Sequence, residues 1–558
     1  MKEIKNLLTK IANQLFELPK NFSIDITPAP ELEQSNDFRA DFATNVAMKL
    51  AGILHKNPRE IAENLIGKLL EAAPDLAPEL NGIKVEIANP GFINFMLPDE
   101  YYQHKLLDLH ADFDKNISYN EYNGKTVVTE FSDPNPFKVL HIGHLYTSVM
   151  GESISRLIEF AGGTVHRVNF GGDVGLHVAK TLYSLEQKDL KEFTIEDIAK
   201  CYVEGTRAYE EDESANQEIV KLNKEIYNIA EHNLHDTKLS EDYWRGRELS
   251  YLYFNDFYAR LDVKFEKYYP ESSVAKRGLE TVKAHPDVYQ ESEGAIVFKG
   301  EDYGLHTRVF INKEGLPTYE AKDVGLLFQK NDDYHFDESV VITGNDIIDY
   351  MKVVLKSVEQ YAPELVERTH HITHGNVRLP GNEKMSSRKG NFIKAVDILN
   401  EVEGKAGTKT IADAAIKYSL LRYKIGGNIE FNIDDSVSLT GNSGPYLQYS
   451  AVRAKKILAS LSTKPSIKHH WNLSPAELAI NKKFLSYQSV LTDAVREKAP
   501  HLVANYLFEL AQEFSRFYET CRVKDDPLEQ ERSLIVAIYE RIITHGLNIL
   551  GITIPEEM

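Results

Sequence analysis

The chain has 558 residues, 42% of them hydrophobic and 27% charged, a globular composition with room for three or four separate cores. Its formal net charge of −20 argues against non-specific coating of nucleic acid, which depends on neutralising many phosphates. No run approaches the roughly 20 apolar residues of a bilayer span, the acid-bearing start MKEIKNLLTKIANQLFELPK reads as an ordinary helix, and Cys201 and Cys521 lack zinc or disulfide spacing, so a reducing, cytoplasmic setting without membrane contact is expected.

From the N-terminus, Leu7, Leu8, Ile11, Leu15 and Phe16 recur at helical spacing, and IKVEIANPGFINFML alternates like two short strands about a Pro-Gly turn. Residues 1–115 therefore read as a small α+β domain. YNGKTVVTEFS then opens a strand rich in β-branched residues, followed by a Pro-punctuated loop, a helix from about His141 to Phe160, the turn AGG and the strand TVHRVNF. Such a β-loop-α-β unit predicts a parallel sheet whose ligand sits at the carboxyl ends of the strands, beside helix N-termini. A charged helical pattern over about 180–290 reads as an insertion, and strand-like runs return at GAIVFKG, LHTRVFI, SVVITG and HITHGNVRL. Beyond about 405 the pattern is helical; Tyr506, Leu507, Leu510, Phe514, Phe517, Tyr518 and Cys521 form one apolar stripe, as in a packed bundle. The expected architecture is α/β multidomain: a Rossmann-like parallel-sheet domain over 116–375 holding the insertion, a connecting region over 376–435 and an all-α bundle over 436–558.

His141, Gly143 and His144 fall on the first turn of the predicted helix, which puts both imidazoles on one face beside the unpaired N–H groups and positive end of the dipole. That is a site for an anion, and a triphosphate fits it; the glycine lets a flat nucleotide approach the backbone. A core or zinc role is the bland alternative for so short a motif, and zinc would need further ligands that the neighbouring sequence lacks. A second stretch, GNEKMSSRKGNFI from Gly381 to Ile393, carries Lys384, Arg388 and Lys389 in a glycine-flanked loop able to close over a pyrophosphate. EGLPTYEAKDVG places Tyr319 and Asp323 at i and i+4, where a carboxylate and a phenol can take a planar guanidinium. Asn135 and Asn169 follow strands ending at one rim and could hold α-amino and carboxylate groups. From Ser436 to Ala476 the chain has no Asp or Glu but contains Arg453, Lys455, Lys456, Lys464 and Lys468; taken alone, this is a solvated face.

In this order, and about 240 residues apart, the two signatures resemble the HIGH and KMSKS stretches of class I aminoacyl-tRNA synthetases. FSDPNPFKVLHIGHL, VNFGGDVGLH, LPTYEAKD, EKMSSRKGN, TGNSGPYLQYSAVRAKKIL and YLFELAQEFSRFYETCRV resemble blocks of arginyl-tRNA synthetases, and DFATNVAMKLA and VEIANPGFINFML resemble that family's extra N-terminal domain. The resemblance implies ATP with Mg2+ as a substrate complex, L-arginine and tRNA(Arg) as partners, a monomer, and no tightly bound cofactor or structural zinc. It implies that His141, Gly143, His144, Lys384, Met385 and Ser386 hold ATP, with Lys138 and Lys384 on the transition-state phosphates. Asn135, Asn169, Tyr319 and Asp323 would hold arginine, and Tyr446, Tyr449, Arg453 and Lys456 would meet tRNA. Two departures stand out: Asp346, Ile347 and Ile348 replace the family's glutamine and histidine pattern, and Thr164 stands where some members carry a glutamate. Rival readings are a cysteinyl enzyme, a small nucleotidyltransferase of the same superfamily, and a non-catalytic tRNA-binding paralogue.

Overall fold

The computed structural model describes residues 2–16, 18, 22–28, 40–76, 82–188, 192–380 and 394–558. They fall into two compact units. The first comprises Met1–Ile117, Arg453–Ser489 and Glu509–Ile543; the second comprises Ser118–Val452, Val490–Phe508 and Thr544–Met558.

In the first unit, Lys84–Ala88 and Phe92–Met96 form the expected hairpin within a four-stranded antiparallel sheet. The helix Lys2–Leu15 buries Leu7, Leu8 and Ile11, while Leu15 stays 36% exposed. Buried polar groups join distant parts of this unit: the Gln103 amide donates to the Trp471 carbonyl at 2.7 Å, and Lys482 reaches the enclosed Asp41 carboxylate at 2.7 Å. A buried carboxylate without such partners is costly, which explains the pairing.

The second unit is built on a five-stranded sheet. In chain order its elements begin with β1 (Thr126–Glu130), α1 (Ile142–Phe160), β2 (Thr164–Gly171), α2 (Leu176–Gln187), α3 (Ile195–Glu211), α4 (Glu213–His232) and α5 (Lys238–Arg260). There follow β3 (Lys267–Pro270), α6 (Glu271–Ala284), β4 (Gln290–Ser292), β5 (Ala295–Phe298), β6 (Arg308–Ile311), α7 (Tyr319–Tyr334), β7 (Glu338–Gly344), α8 (Ile348–Glu359) and β8 (Thr369–His374). The sheet order is β8-β7-β1-β2-β3, with every pair parallel. Val127, Val128, Val168, Val340, Val341 and Ile342 are buried, as strands covered on both faces require. The order reverses between β1 and β7, so the crevice outside their carboxyl ends is where a ligand enters such a sheet.

Two features depart from the sequence reading. The strand β3 lies inside the span read as helical; it is four residues long and pairs only with β2, too short to show a period against its helical neighbours. GAIVFKG and LHTRVFI do form strands, but with β4 they make a separate three-stranded antiparallel sheet.

The helices α6 and α7 meet at two glycines. A Cβ on Gly278 would lie 1.9 Å from the Ala321 carbonyl oxygen, and one on Gly325 would lie 2.4 Å from that of Val274. Backbone cannot yield as a side chain can, so Gly278→Ala must push the helices apart. We expect it to cost about 1–3 kcal/mol, read as a lower urea midpoint. An unchanged midpoint would contradict the close crossing.

Candidate active site

His141 is the N-cap of α1 and His144 its third residue, and the pair closes a reciprocal cap. The His141 Nδ1 accepts from the Gly143 N–H at 3.1 Å, and the His144 Nδ1 accepts from the His141 N–H at 3.2 Å, with the rings 4.0 Å apart. Both Nδ1 atoms are acceptors, so each neutral ring carries its proton on Nε2. This corrects one expectation: the N–H groups of His141 and Gly143 are already satisfied by imidazole, and the His144 N–H bonds to the His141 carbonyl at 2.9 Å. The donors that the two rings leave open are their Nε2–H groups. A Cβ on Gly143 would lie 2.8 Å from the His141 ring, so glycine here also makes room for the cap.

Burial, then the nearby Lys138 charge, pushes His141 down to about 4; burial, then His141, holds His144 well below its ordinary value. Both are neutral donors at pH 7. A base whose folded pKa is depressed contributes stability above its unfolded value of 6.5 and loses it as pH falls toward 4. His141→Asn should therefore blunt the drop in urea midpoint between pH 7.5 and pH 5; an undiminished drop would place the acid sensitivity elsewhere.

A pocket beside the cap is lined by Pro134, Asn135, Lys138, Val139, His141, His144, Ala199, Tyr202 and Val203. Lys138 lies over the Tyr202 ring at 5.1 Å. Asn135 reaches this pocket, and its Oδ1 accepts from the Gly172 N–H at 2.8 Å, which sets the amide's orientation. Asn169 is 1% exposed; its Nδ2 donates to the Phe131 carbonyl at 3.1 Å and lies 3.4 Å from the Tyr258 hydroxyl, so it fixes the rim from behind and does not line the pocket.

Tyr319, 51% exposed as a residue, opens α7 with the Lys322 ammonium 4.9 Å from its ring centre. One turn on, the Asp323 carboxylate accepts from the Tyr350 hydroxyl. Around it lie groups that spacing alone did not single out: Glu130 at the end of β1, bonded to Lys330; Glu271 at the start of α6, bonded to Lys322; and Asp133, which accepts from the Phe170 N–H at 2.9 Å. Burial raises Asp323 to about 8 despite the Tyr350 bond, with Glu130 and Glu271 adding to the rise. Asp133 is likewise raised, by burial and then by Glu130. Among the described residues no lysine or arginine forms an ion pair with Asp323 or Asp133, whereas Glu130 and Glu271 each have one.

Asp346, at the carboxyl end of β7, lies close enough to His141 and His374 to favour their protonated forms. His374 ends β8 and bonds Thr147 of α1 at 2.6 Å. Lys384, Met385, Ser386, Arg388 and Lys389 lie outside the described residues. The described chain resumes at Lys394, whose backbone bridges to His141, and the Ala395 N–H donates to the Leu140 carbonyl at 2.9 Å. Tyr446, Tyr449, Arg453 and Lys456 follow one another at three, four and three residues along the helix Gly444–Ala459, one face of it. Tyr449 is 42% exposed and Lys456 is exposed, while Tyr446 packs against Phe508 and the Arg453 guanidinium lies 4.1 Å over the Tyr518 ring.

A parallel sheet carrying paired imidazoles at its order reversal fits the class I aminoacyl-tRNA synthetase fold. The family model for the catalytic domain of class I (R) tRNA synthetases matches residues 110–418, the arginyl tRNA synthetase N terminal domain matches 2–97, and the DALR anticodon binding domain matches 447–558. The chain thus belongs to the arginyl branch of the class I tRNA synthetase family. An arginine–tRNA ligase of Fusobacterium nucleatum is 28% identical over 594 residues, covering 100% of this chain and 99% of the relative. One from Vibrio parahaemolyticus is 28% identical, covering 95% and 96%. In fold, the chain matches Thermus thermophilus arginyl-tRNA synthetase with a TM-score of 0.76 at 22% identity, covering 100% of both chains. No described helix is long and apolar enough to cross a membrane.

Proposed function

We propose that this chain is an arginine–tRNA ligase acting in translation in the cytoplasm, and that its site works as follows. The arginine carboxylate attacks the α-phosphorus of ATP, brought as its Mg2+ complex; a P–O bond forms, the bond to the β-phosphate oxygen breaks, and pyrophosphate leaves. The terminal adenosine hydroxyl of tRNA(Arg) then attacks the adenylate carbonyl and AMP leaves. Neither step uses a protein nucleophile, so positioning and charge stabilisation are the protein's contribution. The Nε2–H groups of His141 and His144 donate to phosphate oxygens, Gly143 admits the nucleotide, and Lys138 and Lys384 offset the charge that develops on the leaving pyrophosphate. Met385 and Ser386 flank Lys384 on the same ATP-binding stretch. Asn135 orients the amino-acid end, Tyr319 and Asp323 take the guanidinium, and Asn169 supports the rim. The face bearing Tyr446, Tyr449, Arg453 and Lys456 offers tRNA a mixture of ring surface and positive charge.

The observation that carries the reading is the buried Asp323 carboxyl, which no lysine or arginine pairs with among the described residues, in a unit that also presents two neutral imidazole N–H donors. One group asks for a planar cation and the other for an anion, as arginine and ATP supply. The test is ATP–pyrophosphate exchange with each of the twenty amino acids, with and without total tRNA. Exchange with arginine alone is expected; no exchange in either condition, with tRNA still bound, would favour the non-catalytic paralogue. His144→Ala should lower the adenylation rate by more than its stability cost explains, since it removes an Nε2–H donor along with the cap bond to the His141 N–H, a loss of about 0.5–2 kcal/mol; an unfolded variant would make the residue structural.

A further inference from the structure

Tyr350 belongs to GNDIIDY, the stretch that departs from the family pattern, and lies on the first turn of α8. Its ring packs against the core beneath the sheet, and its hydroxyl donates to Asp323 Oδ2. The Arg308 guanidinium from β6 lies 5.3 Å from the ring centre, and Arg308 also pairs with Glu320 on the first turn of α7 at 3.3 Å. The phenol is thus held from a second side, by a strand outside the parallel sheet.

We infer that Tyr350 is a positioning residue for the amino-acid substrate, fixing the plane of the Asp323 carboxylate so that its remaining oxygen edge faces the guanidinium fork. The inference rests on the reading of Asp323 as guanidinium acceptor. A guanidinium presents its N–H groups in a rigid plane, so a carboxylate turned out of that plane loses a bond. A hydroxyl bound at one oxygen fixes that rotation before the substrate arrives, which is preorganisation. The hydroxyl also favours the ionised acid in crowded company. Glu130 from β1, Glu271 from α6 and Asp133 from the loop after β1 all disfavour that charge, and Lys330 from α7 itself is the lysine acting the other way. Tyr350 acts through Asp323, at the guanidinium end of the proposed site, so its effect belongs to binding.

The experiment compares Tyr350→Phe and Asp323→Asn with the parent in tRNA-supported ATP–pyrophosphate exchange, taking arginine KM, ATP KM and kcat from pH 6.5 to 9. Phenylalanine keeps the ring under Arg308 and removes only the hydroxyl. A hydrogen bond to a charged group predicts a rise in arginine KM of roughly ten- to a hundredfold at pH 7, with ATP KM and kcat held. The defect should shrink toward pH 9, because hydroxide can ionise Asp323 where the phenol no longer helps. A purely structural role would move kcat, both KM values and the unfolding midpoint together at every pH. That pattern, or an unchanged arginine KM, overturns the inference. Should Asp323→Asn also leave arginine kinetics untouched, the underlying site reading falls with it; if Asp323→Asn alone is impaired, only the role of Tyr350 falls.

Discussion

Asp323→Asn is expected to raise the arginine concentration needed for half-maximal exchange by roughly thirty- to several-thousand-fold, the equivalent of about 2–5 kcal/mol for a charged hydrogen bond lost at a buried binding site. The direction with pH follows from the acid's surroundings. Burial holds Asp323 at about 8 in the empty site, and a guanidinium binds well only to the ionised form. Arginine must therefore displace a proton near neutrality, and its affinity should climb as pH rises through 8. The asparagine variant has no proton to lose there and should lose that slope. It should also lose much of its preference for arginine over citrulline, whose neutral urea group gains little from a carboxylate. Arginine kinetics that match the parent's at every pH would remove Asp323 from the pocket.

The second large effect concerns stability. Lys330 bonds Glu130, with side chains 2% and 4% exposed, and lies 3.2 Å from Ser339 Oγ. This ties α7 to β1 and β7 at the middle of the sheet. Lys330→Met leaves Glu130 charged and unmatched in the interior, where breaking one side of a buried pair costs about 3–5 kcal/mol. Glu130→Leu added to it should recover most of the loss, because the well-packed apolar replacement of both partners is often neutral. Urea midpoints of the two variants separate a stranded charge from simple loss of packing: equal midpoints would show that packing accounts for the whole effect.

The parts of this molecule legible in its sequence are those with a local signature. The apolar run through Val127 and Val128, the Pro-punctuated loop, the helix to Phe160 and the strand from Thr164 all lie within 50 residues, and each carries its own period. The short edge strand Lys267–Pro270 has no such period and was hidden among helices. The same division holds at the crevice. His141, Gly143 and His144 announce themselves by spacing, and so do Tyr319 and Asp323 as an i, i+4 pair. Glu130, Asp133 and Tyr350 are single residues on separate elements, brought together only by the strand order, and nothing within a few positions of each marks it. Asn169 misleads for a related reason: the end of a strand is readable, but which way its amide is occupied depends on Phe131 and Tyr258, 38 and 89 residues away.

The cap that joins the two imidazoles has a kinetic meaning. Because each ring accepts a backbone N–H on one nitrogen and stays uncharged, the pair grips by direction alone, and an attraction of that kind fades quickly once the oxygen leaves its line. In the proposed mechanism, long-range pull on a polyanion falls instead to the lysines, whose field reaches further and is weakened by salt. Such a cradle can aim a phosphate during bond exchange and still release pyrophosphate afterwards. On the proposed reading of the site, turnover as much as chemistry is served by keeping these histidines neutral.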